Sequence, residues 1–264
     1  LDINNNEGIT AMFNNQNYAA CWLIIIWPFC LYNLLNSEKF SLKKFIFFLY
    51  SLLILMSVYL TKSRSGIVGT LTSSTFLSNK FFLLLAPIFI LFFLLITKYF
   101  SINPRLIKSF ISKNFFINIA DVFQLSKFAN LLNEPRIFIY MNSIPIIMEK
   151  PLLGWGAATF PILFNSRYAD FNRDPTHPHN LILEMANSYG LIFAFIVTTS
   201  ILFIVFCSFK IIFLNKNIRN NSIDKAWWSS FFALLLSQMY DIQYFDFRIS
   251  ISFWILLTGL ISTI

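Results

Sequence analysis

Seven apolar runs, separated by short polar segments, dominate the pattern of the chain. They lie at about residues 19–35, 45–61, 65–78, 81–97, 181–207, 226–240 and 250–264. A bilayer core of roughly 30 Å needs about 20 apolar residues in a helix. Lipid favours helices because every backbone group must find its hydrogen bond internally. The pattern therefore predicts an all-α, polytopic transmembrane bundle of about seven spans, in which the short and polar third run is the weakest.

A long mixed segment, residues 98–180, interrupts these runs. Residues 105–118 alternate basic and apolar groups at helical spacing, which predicts a helix lying on the membrane. Residues 136–149 also have a helical pattern, although Pro145 should kink or break that helix. We divide the chain into residues 1–97 with spans one to four, the outer loop 98–180, and residues 181–264 with spans five to seven. Because the first residue is Leu, we expect further spans upstream.

Composition indicates that lipid is the solvent of this chain. Hydrophobic residues make up 57% of its 264 residues and charged residues 12%, which is about half the charged share of a soluble domain. The net charge of +8 would suggest nucleic acid in a soluble protein. Here the basic residues fall mainly between apolar runs, so we expect the bilayer and lipid-linked phosphates as partners, and no nucleic acid.

Lysine and arginine in the short loops predict the orientation of the spans. Three basic segments are expected in the cytoplasm: residues 36–44, 79–80 and 208–225. The segments then expected outside are the N-terminal segment and residues 61–64, 98–180 and 241–249. This assignment requires the third run to be a real span.

The only two histidines, His177 and His179, lie two residues apart just before the fifth run. The nearby carboxylates are Asp170, Asp174 and Glu184. They show no metal-ligand spacing, and a catalytic zinc needs three protein ligands, so we expect no metal. A neutral histidine at a membrane face suits general-base work or hydrogen bonding to phosphate. An ordinary histidine at the entry to a helix is the alternative.

Two arginines stand beside the apolar runs. Arg64 lies between the second and third runs, among small residues that permit close approach of a helix or ligand. Arg136 follows Asn-Glu-Pro in the long segment. A guanidinium can bind phosphate oxygens through two parallel hydrogen bonds, but each arginine could also simply mark a helix end or a solvated surface. The sequence contains no ATP-binding motif, so a bond-forming reaction would need an activated donor.

Three sequence blocks, taken in their order along the chain, resemble the O-antigen ligase and O-antigen polymerase superfamily of bacterial envelope enzymes. The blocks are Ser-Arg-Ser-Gly at 63–66, Arg136 followed by Pro-Leu-Leu-Gly-Trp-Gly at 151–156, and His-Pro-His-Asn at 177–180 with Gly190 downstream. Nine residues separate Asn180 from Gly190, as in the ligase signature. Phe193 departs from the Gly, Thr or Tyr of that signature, which leaves ligase and polymerase both open. The resemblance covers roughly residues 15–210.

The resemblance implies a multi-pass glycosyltransferase of the bacterial inner membrane that needs no metal or cofactor. Such enzymes move a glycan from a polyprenyl-diphosphate donor, at the periplasmic face, to a hydroxyl on lipid A core, another glycan or a protein. Arg64 and Arg136 would hold the diphosphate, and His179 would accept or orient the proton of the acceptor hydroxyl. Secondary substrate-binding candidates are His177, Asn180, Arg167 and Arg173.

Other functional classes remain open. A transporter or flippase predicts charges at mid-span and paired discontinuous helices in two halves, and the sequence shows neither pattern. A structural membrane subunit would make the histidine pair accidental. Glu184 falls about one turn into the fifth run, where a carboxylate needs a partner, and either a histidine or a basic side chain could serve.

Overall fold

A computed structural model describes residues 8–77, 135–168, 175–214 and 222–264. All regular elements in these ranges are helical, which confirms the predicted all-α class. In chain order the α-helices are α1 (Gln16–Asn36), α2 (Leu42–Leu60), α3 (Arg64–Leu77), α4 (Pro135–Glu149), α5 (Phe160–Arg167), α6 (Leu181–Tyr189), α7 (Leu191–Phe209), α8 (Ser222–Ser237) and α9 (Phe247–Ile261). A 3₁₀ turn, Ala11–Phe13, precedes α1, and a π-helical turn, Lys210–Leu214, extends α7.

Among the described residues, three helices are long and apolar enough to cross a membrane. They are α1, α2 and α7 with its extension, Leu191–Leu214, and α9 is a shorter apolar helix. Only 11% of the apolar stretch of α2 is buried, whereas 44% of the apolar stretch of α1 is buried. Thus α2 exposes an apolar surface suited to lipid, while α1 lies inside the bundle. Seven spans are not confirmed, and the predicted run 81–97 and surface helix 105–118 lie outside the described residues.

Residues up to Leu77 and from Ile139 onward form one compact unit. Within it α1 packs against α2, α3 and α8, and α3 also packs against α8. Large apolar side chains from α1, α7, α8 and α9, including Ile25, Val205, Phe231 and Phe253, form its core. Residues 78–138 are a separate unit, of which 135–138, at the start of α4, belong to the described ranges.

Small residues allow α3 to lie directly against α1. A Cβ atom added at Gly66 would come within 2.7 Å of the Cβ of Ala20, and one at Gly69 within 2.8 Å of Ile24 Cδ1. This use of small residues at a close helix contact is common in membrane proteins. It brings the first turn of α3, which begins with Arg64, beside the first turns of α1.

The fifth predicted span, residues 181–207, is wrong as a single helix. The chain breaks at Gly190, with φ of +90°, into α6 and α7. The loop after α4 occupies the break: a Cβ atom at Gly190 would lie 2.1 Å from the carbonyl oxygen of Leu152. The N–H of Leu191 donates to the carbonyl of Pro151 at 2.7 Å. Close contact between two backbones thus interrupts an otherwise continuous apolar run.

The Pro-Leu-Leu-Gly-Trp-Gly loop, residues 151–156, also caps the end of α6. The backbone N–H groups of Trp155 and Gly156 donate to the carbonyls of Asn187 and Ser188 at 2.7 and 3.0 Å. These carbonyls are among those that a helix end leaves without an internal partner. Gly154 has φ of +68°, and a Cβ atom there would lie 2.7 Å from the Asn187 oxygen. The loop therefore holds α6 by backbone contacts.

Replacing Gly190 by Ala should destabilise the protein more than the same change at Gly156. Both glycines have positive φ, +90° and +101°, so each alanine incurs backbone strain of about 1–3 kcal/mol. Only at Gly190 would the new Cβ collide with backbone, because the nearest atom to a Cβ at Gly156 is 3.7 Å away. Thermal unfolding of purified variants in detergent measures the difference. Equal melting temperatures for the two variants would contradict the docking of the two backbones.

Candidate functional site

The His-Pro-His-Asn segment, residues 177–180, forms the turn that starts α6. Asn180 is the N-cap, and its Oδ1 accepts the N–H groups of Ile182 and Leu183 at 3.0 and 3.2 Å. Asparagine is among the residues preferred at this position, because its side chain satisfies N–H groups that a helix start leaves unpaired. His179 has a left-handed backbone, with φ of +52°. A non-glycine residue in this region stores strain, which is common at functional sites.

Hydrogen bonds fix this turn to the C-terminal end of α8. Asn180 Nδ2 donates to the carbonyl of Met239 at 3.2 Å, and the N–H of Leu181 donates to the carbonyl of Gln238 at 3.0 Å. The hydroxyl of Tyr140, on α4, lies 3.1 Å from the carbonyl oxygen of His179 and 3.2 Å from that of Met239. Residues of α4, of α6 and of the end of α8 therefore hold the backbone turn that carries His179.

The His179 ring contacts a buried carboxylate. Its Nδ1 lies 2.8 Å from Oδ1 of Asp241, whose side chain is 5% exposed, whereas that of His179 is 27% exposed. With Asp241 ionised, Nδ1–H is the donor, because a carboxylate can only accept. The neutral ring then has its lone pair at Nε2. A carboxylate that fixes the tautomer in this way makes a histidine suited to accept a proton from a bound hydroxyl.

The sequence interpretation missed Asp241. It lies 62 residues beyond His179, just after α8, and no local spacing joins the two. The predicted topology did place residues 241–249 on the same side of the membrane as the histidines. A carboxylate at the start of that loop is therefore a signal in the sequence that could have indicated a partner for the histidines.

A second pair of hydrogen bonds joins Asp241 to the beginning of α3. Asn17 Nδ2 donates to Asp241 Oδ2 at 2.7 Å, and the hydroxyl of Ser63 donates to Asn17 Oδ1 at 2.8 Å. We call the series His179, Asp241, Asn17 and Ser63 the polar chain. It brings two of the sequence blocks, residues 63–66 and 177–180, to the same end of the bundle.

The predicted arginines have different positions. Arg64 is the exposed first residue of α3, directly after Ser63 of the polar chain. Arg136 lies in the first turn of α4, within the separate unit of residues 78–138. Arg173 lies outside the described residues.

The helix α4 runs on through Pro145 to Glu149, so the possible break at that proline does not occur.

Arg167, at the end of α5, has a carboxylate partner. Its Nη2 donates to Oε2 of Glu149 at 2.6 Å, and this hydrogen bond lowers the pKa of the Glu149 carboxyl. The Nζ of Lys150 lies 4.0 Å from the centre of the Trp155 ring, and the Arg167 guanidinium 5.9 Å from the same ring. Arg167 thus contacts the loop that caps α6, and its charge is compensated by Glu149.

Glu184 is buried in α6, before the candidate span Leu191–Leu214. Its Oε1 accepts the hydroxyl of Ser188 at 2.9 Å, while its Oε2 is buried with no hydrogen-bond partner. Burial raises the pKa of the Glu184 carboxyl, because removal from water disfavours the charged form. The serine is the partner that the structure gives this carboxylate, in place of the predicted histidine or basic side chain.

The site contains three side chains, enough ligands to hold a metal ion. His177, His179 and Asp241 each offer one ligand atom, and these atoms lie within 4.8 Å of one another. From the sequence, only the two histidines could be counted as ligands, because the third ligand, Asp241, comes from a distant loop. Two ring nitrogens are already engaged, however. His177 Nδ1 accepts the backbone N–H of His179 at 3.2 Å, and His179 Nδ1 bonds Asp241. Ligation of a metal through either Nδ1 would therefore require one of these hydrogen bonds to break.

Apolar helices of spanning length, and a half-buried histidine paired with a buried aspartate at one end of their bundle, define a helical membrane protein with a polar site at that end. The sequence matches the O-antigen ligase family over residues 49–198, more than half of the chain, and the protein belongs to this family. It is therefore a bacterial membrane protein and a glycan transferase of the O-antigen ligase type. No curated protein matches the chain. Asn17 and Asp241 lie outside the matched range.

The loop that carries Asp241 is held at its far end by an ion pair. Asp246 is the N-cap of α9, accepting the N–H of Arg248 at 3.0 Å and its Nε at 2.9 Å. The Arg248 guanidinium lies 4.0 Å from the centre of the Phe13 ring, which ties the loop to the segment before α1. Hydrogen bonding to Arg248 lowers the pKa of the Asp246 carboxyl.

Asp246→Asn should lower the melting temperature by a few degrees at pH 7 and by progressively less at acidic pH. Asparagine is also a good N-cap, so the change mainly removes charge. Because the pKa of Asp246 is lower in the folded chain, its stabilisation is complete above the ordinary carboxyl pKa of about 3.9 and is lost as the pH falls through the folded value. Thermal unfolding of both proteins from pH 7 to 3 tests this. A gap that does not change with pH would contradict it.

Proposed function

We propose that this protein transfers a glycan from a polyprenyl-diphosphate donor to an acceptor hydroxyl at the periplasmic face of the bacterial inner membrane. The observation that carries the proposal is the 2.8 Å contact between His179 Nδ1 and the buried Asp241 carboxylate. It supports a histidine base that carries its lone pair at Nε2 and is partly exposed. The partners are the lipid-linked donor, the bilayer, and lipid A core, a glycan or a protein as acceptor.

In this mechanism His179 Nε2 accepts the proton of the acceptor hydroxyl. At the same time the oxygen of that hydroxyl bonds to the anomeric carbon of the donor sugar. The bond from that carbon to the diphosphate oxygen breaks, and its electron pair leaves with the polyprenyl diphosphate. Arg64 and Arg136 stabilise the charge that develops on the leaving group. Asp241 stabilises the imidazolium form of His179. No metal takes part, and His177, Asn180, Arg167 and Arg173 contribute weaker substrate contacts.

The connectivity of the helices supports an outward-facing site. Lys39, in the loop between α1 and α2, and Lys43 and Lys44, in the first turn of α2, form a basic segment at one end of these helices. The turn between α2 and α3 is at the other end, where the polar chain joins Ser63 to Asp241 and His179. Basic loops favour the cytoplasm. This tendency supports the proposal that the polar chain faces the periplasm.

Replacing His179 or Arg64 by Ala should reduce glycan transfer by about 100-fold or more, the loss typical for a general base or a charge-stabilising donor. Arg136→Ala should have a similar effect. Arg167→Ala is the matched comparison: because Glu149 compensates its charge, the loss should be under about tenfold. The assay uses full-length protein in proteoliposomes with a polyprenyl-diphosphate-linked repeat unit.

Separate reactions with lipid A core and with the glycan repeat as acceptors distinguish ligase from polymerase. A chelator added to each reaction should leave the rate unchanged. Undiminished product from the His179, Arg64 and Arg136 variants together would exclude the proposed mechanism. Donor movement across the bilayer without any transfer would favour the transporter alternative.

A further inference from the structure

The side chain of Asn17 uses both of its ends within the polar chain. Nδ2 donates to Asp241 Oδ2 at 2.7 Å, and Oδ1 accepts the hydroxyl of Ser63 at 2.8 Å. The backbone at this point is itself fixed, since the N–H of Asn17 donates to the N-cap side chain of Asn15 at 2.8 Å. Asn17 therefore stands between two segments that lie 46 residues after it and 224 residues after it.

The chemistry of the partners determines the direction of every bond in the polar chain. An ionised Asp241 can only accept, so the amide of Asn17 must present its NH₂ group to it. Its carbonyl oxygen then faces Ser63, whose hydroxyl proton points to Asn17. The Ser63 oxygen is left to accept, and the hydroxyl of Ser65 and the N–H of Gly66 lie 3.0 and 3.4 Å from it.

Asn17 acts on the base through the carboxylate. Each oxygen of Asp241 has one of the two contacts: Oδ1 with His179 and Oδ2 with Asn17. A carboxylate held at both oxygens does not rotate, so it keeps Oδ1 in line with the Nδ1–H group. Asn17 acts on the donor side through Ser63, because that hydroxyl contacts the first turn of α3, which begins with Arg64.

We propose that Asn17 is a positioning residue that fixes the base, His179, relative to the cation, Arg64. This inference rests on the proposed function and adds a residue outside the part of the chain that matches the family. Transfer requires the acceptor oxygen at His179 and the diphosphate at Arg64 to be in line at the same time. A displacement of about 1 Å can reduce a rate by 100-fold. One amide bonded to both sides prevents such a displacement.

Asn17→Ala should lower the kcat of transfer by about 10- to 100-fold and leave the KM of the acceptor within about twofold. Asn33→Ala is the matched control. Asn33 is also on α1, at its other end, and its Nδ2 bonds the carbonyl of Phe29 at 2.8 Å. That variant should keep the kcat of the wild type. Melting temperatures in detergent show whether each variant is folded.

Asn17→Asp covers the case in which the alanine variant does not fold. Aspartate keeps the shape and the acceptor for Ser63 but replaces the donor to Asp241 by a second carboxylate. We expect a folded protein with kcat reduced at least tenfold. A kcat equal to that of the wild type in either folded Asn17 variant would overturn the inference.

A double-mutant cycle tests the route through Asp241. If Asn17 acts on that carboxylate, adding Asn17→Ala to Asp241→Ala should reduce kcat by less than about threefold further. A full additional 10- to 100-fold loss in the double variant would overturn the route. The proposed function fails separately, when the wild type shows no transfer or when His179→Ala transfers normally.

Discussion

The carboxylate of Asp241 is buried at the end of an apolar bundle, and much of the site depends on the need to give it partners. An ion removed from water is costly unless hydrogen bonds replace its hydration. Here His179 and Asn17 supply them, at 2.8 and 2.7 Å. Since these residues come from the start of α6 and the start of α1, satisfying one carboxylate brings distant segments together. The Asn17 amide then extends the same constraint to Ser63 and the first turn of α3.

Contacts between backbones hold α6, the helix that follows His179, in its position. The loop 151–156 docks against the end of α6 and interrupts the run of apolar residues at Gly190. As a result α6 is a short, separate helix, and its first turn can be held against the end of α8. Glycine is needed at Gly154 and Gly190 because the facing carbonyls leave no room for a Cβ atom. Two of the blocks that resemble the O-antigen ligase family are thus connected physically, one supporting the other.

Several parts of this fold were accessible from hydrophobic pattern alone. The helices α1, α2 and α3 begin within three residues of the predicted spans. The break at Gly190 was not accessible, because the apolar pattern runs through it and the cause is a carbonyl 38 positions earlier, at Leu152. At Pro145 the break considered from the sequence does not occur, since α4 continues past it. In both cases the contacts of the folded chain outweigh the local preference.

For the site, the sequence by itself determined that the chain belongs in a lipid bilayer, that its regular structure is helical, and that residues 63–66 and 177–180 resemble one family of enzymes. These conclusions follow from composition and short-range order, which are properties of neighbouring residues. Only the tertiary structure decided that Asp241 is the partner of His179 and that Asn17 joins them to Ser63. Hydrogen bonds of 2.7–2.8 Å between residues 46 to 224 positions apart depend on how helices pack. No local pattern encodes that packing, because each partner lies on a different helix or loop.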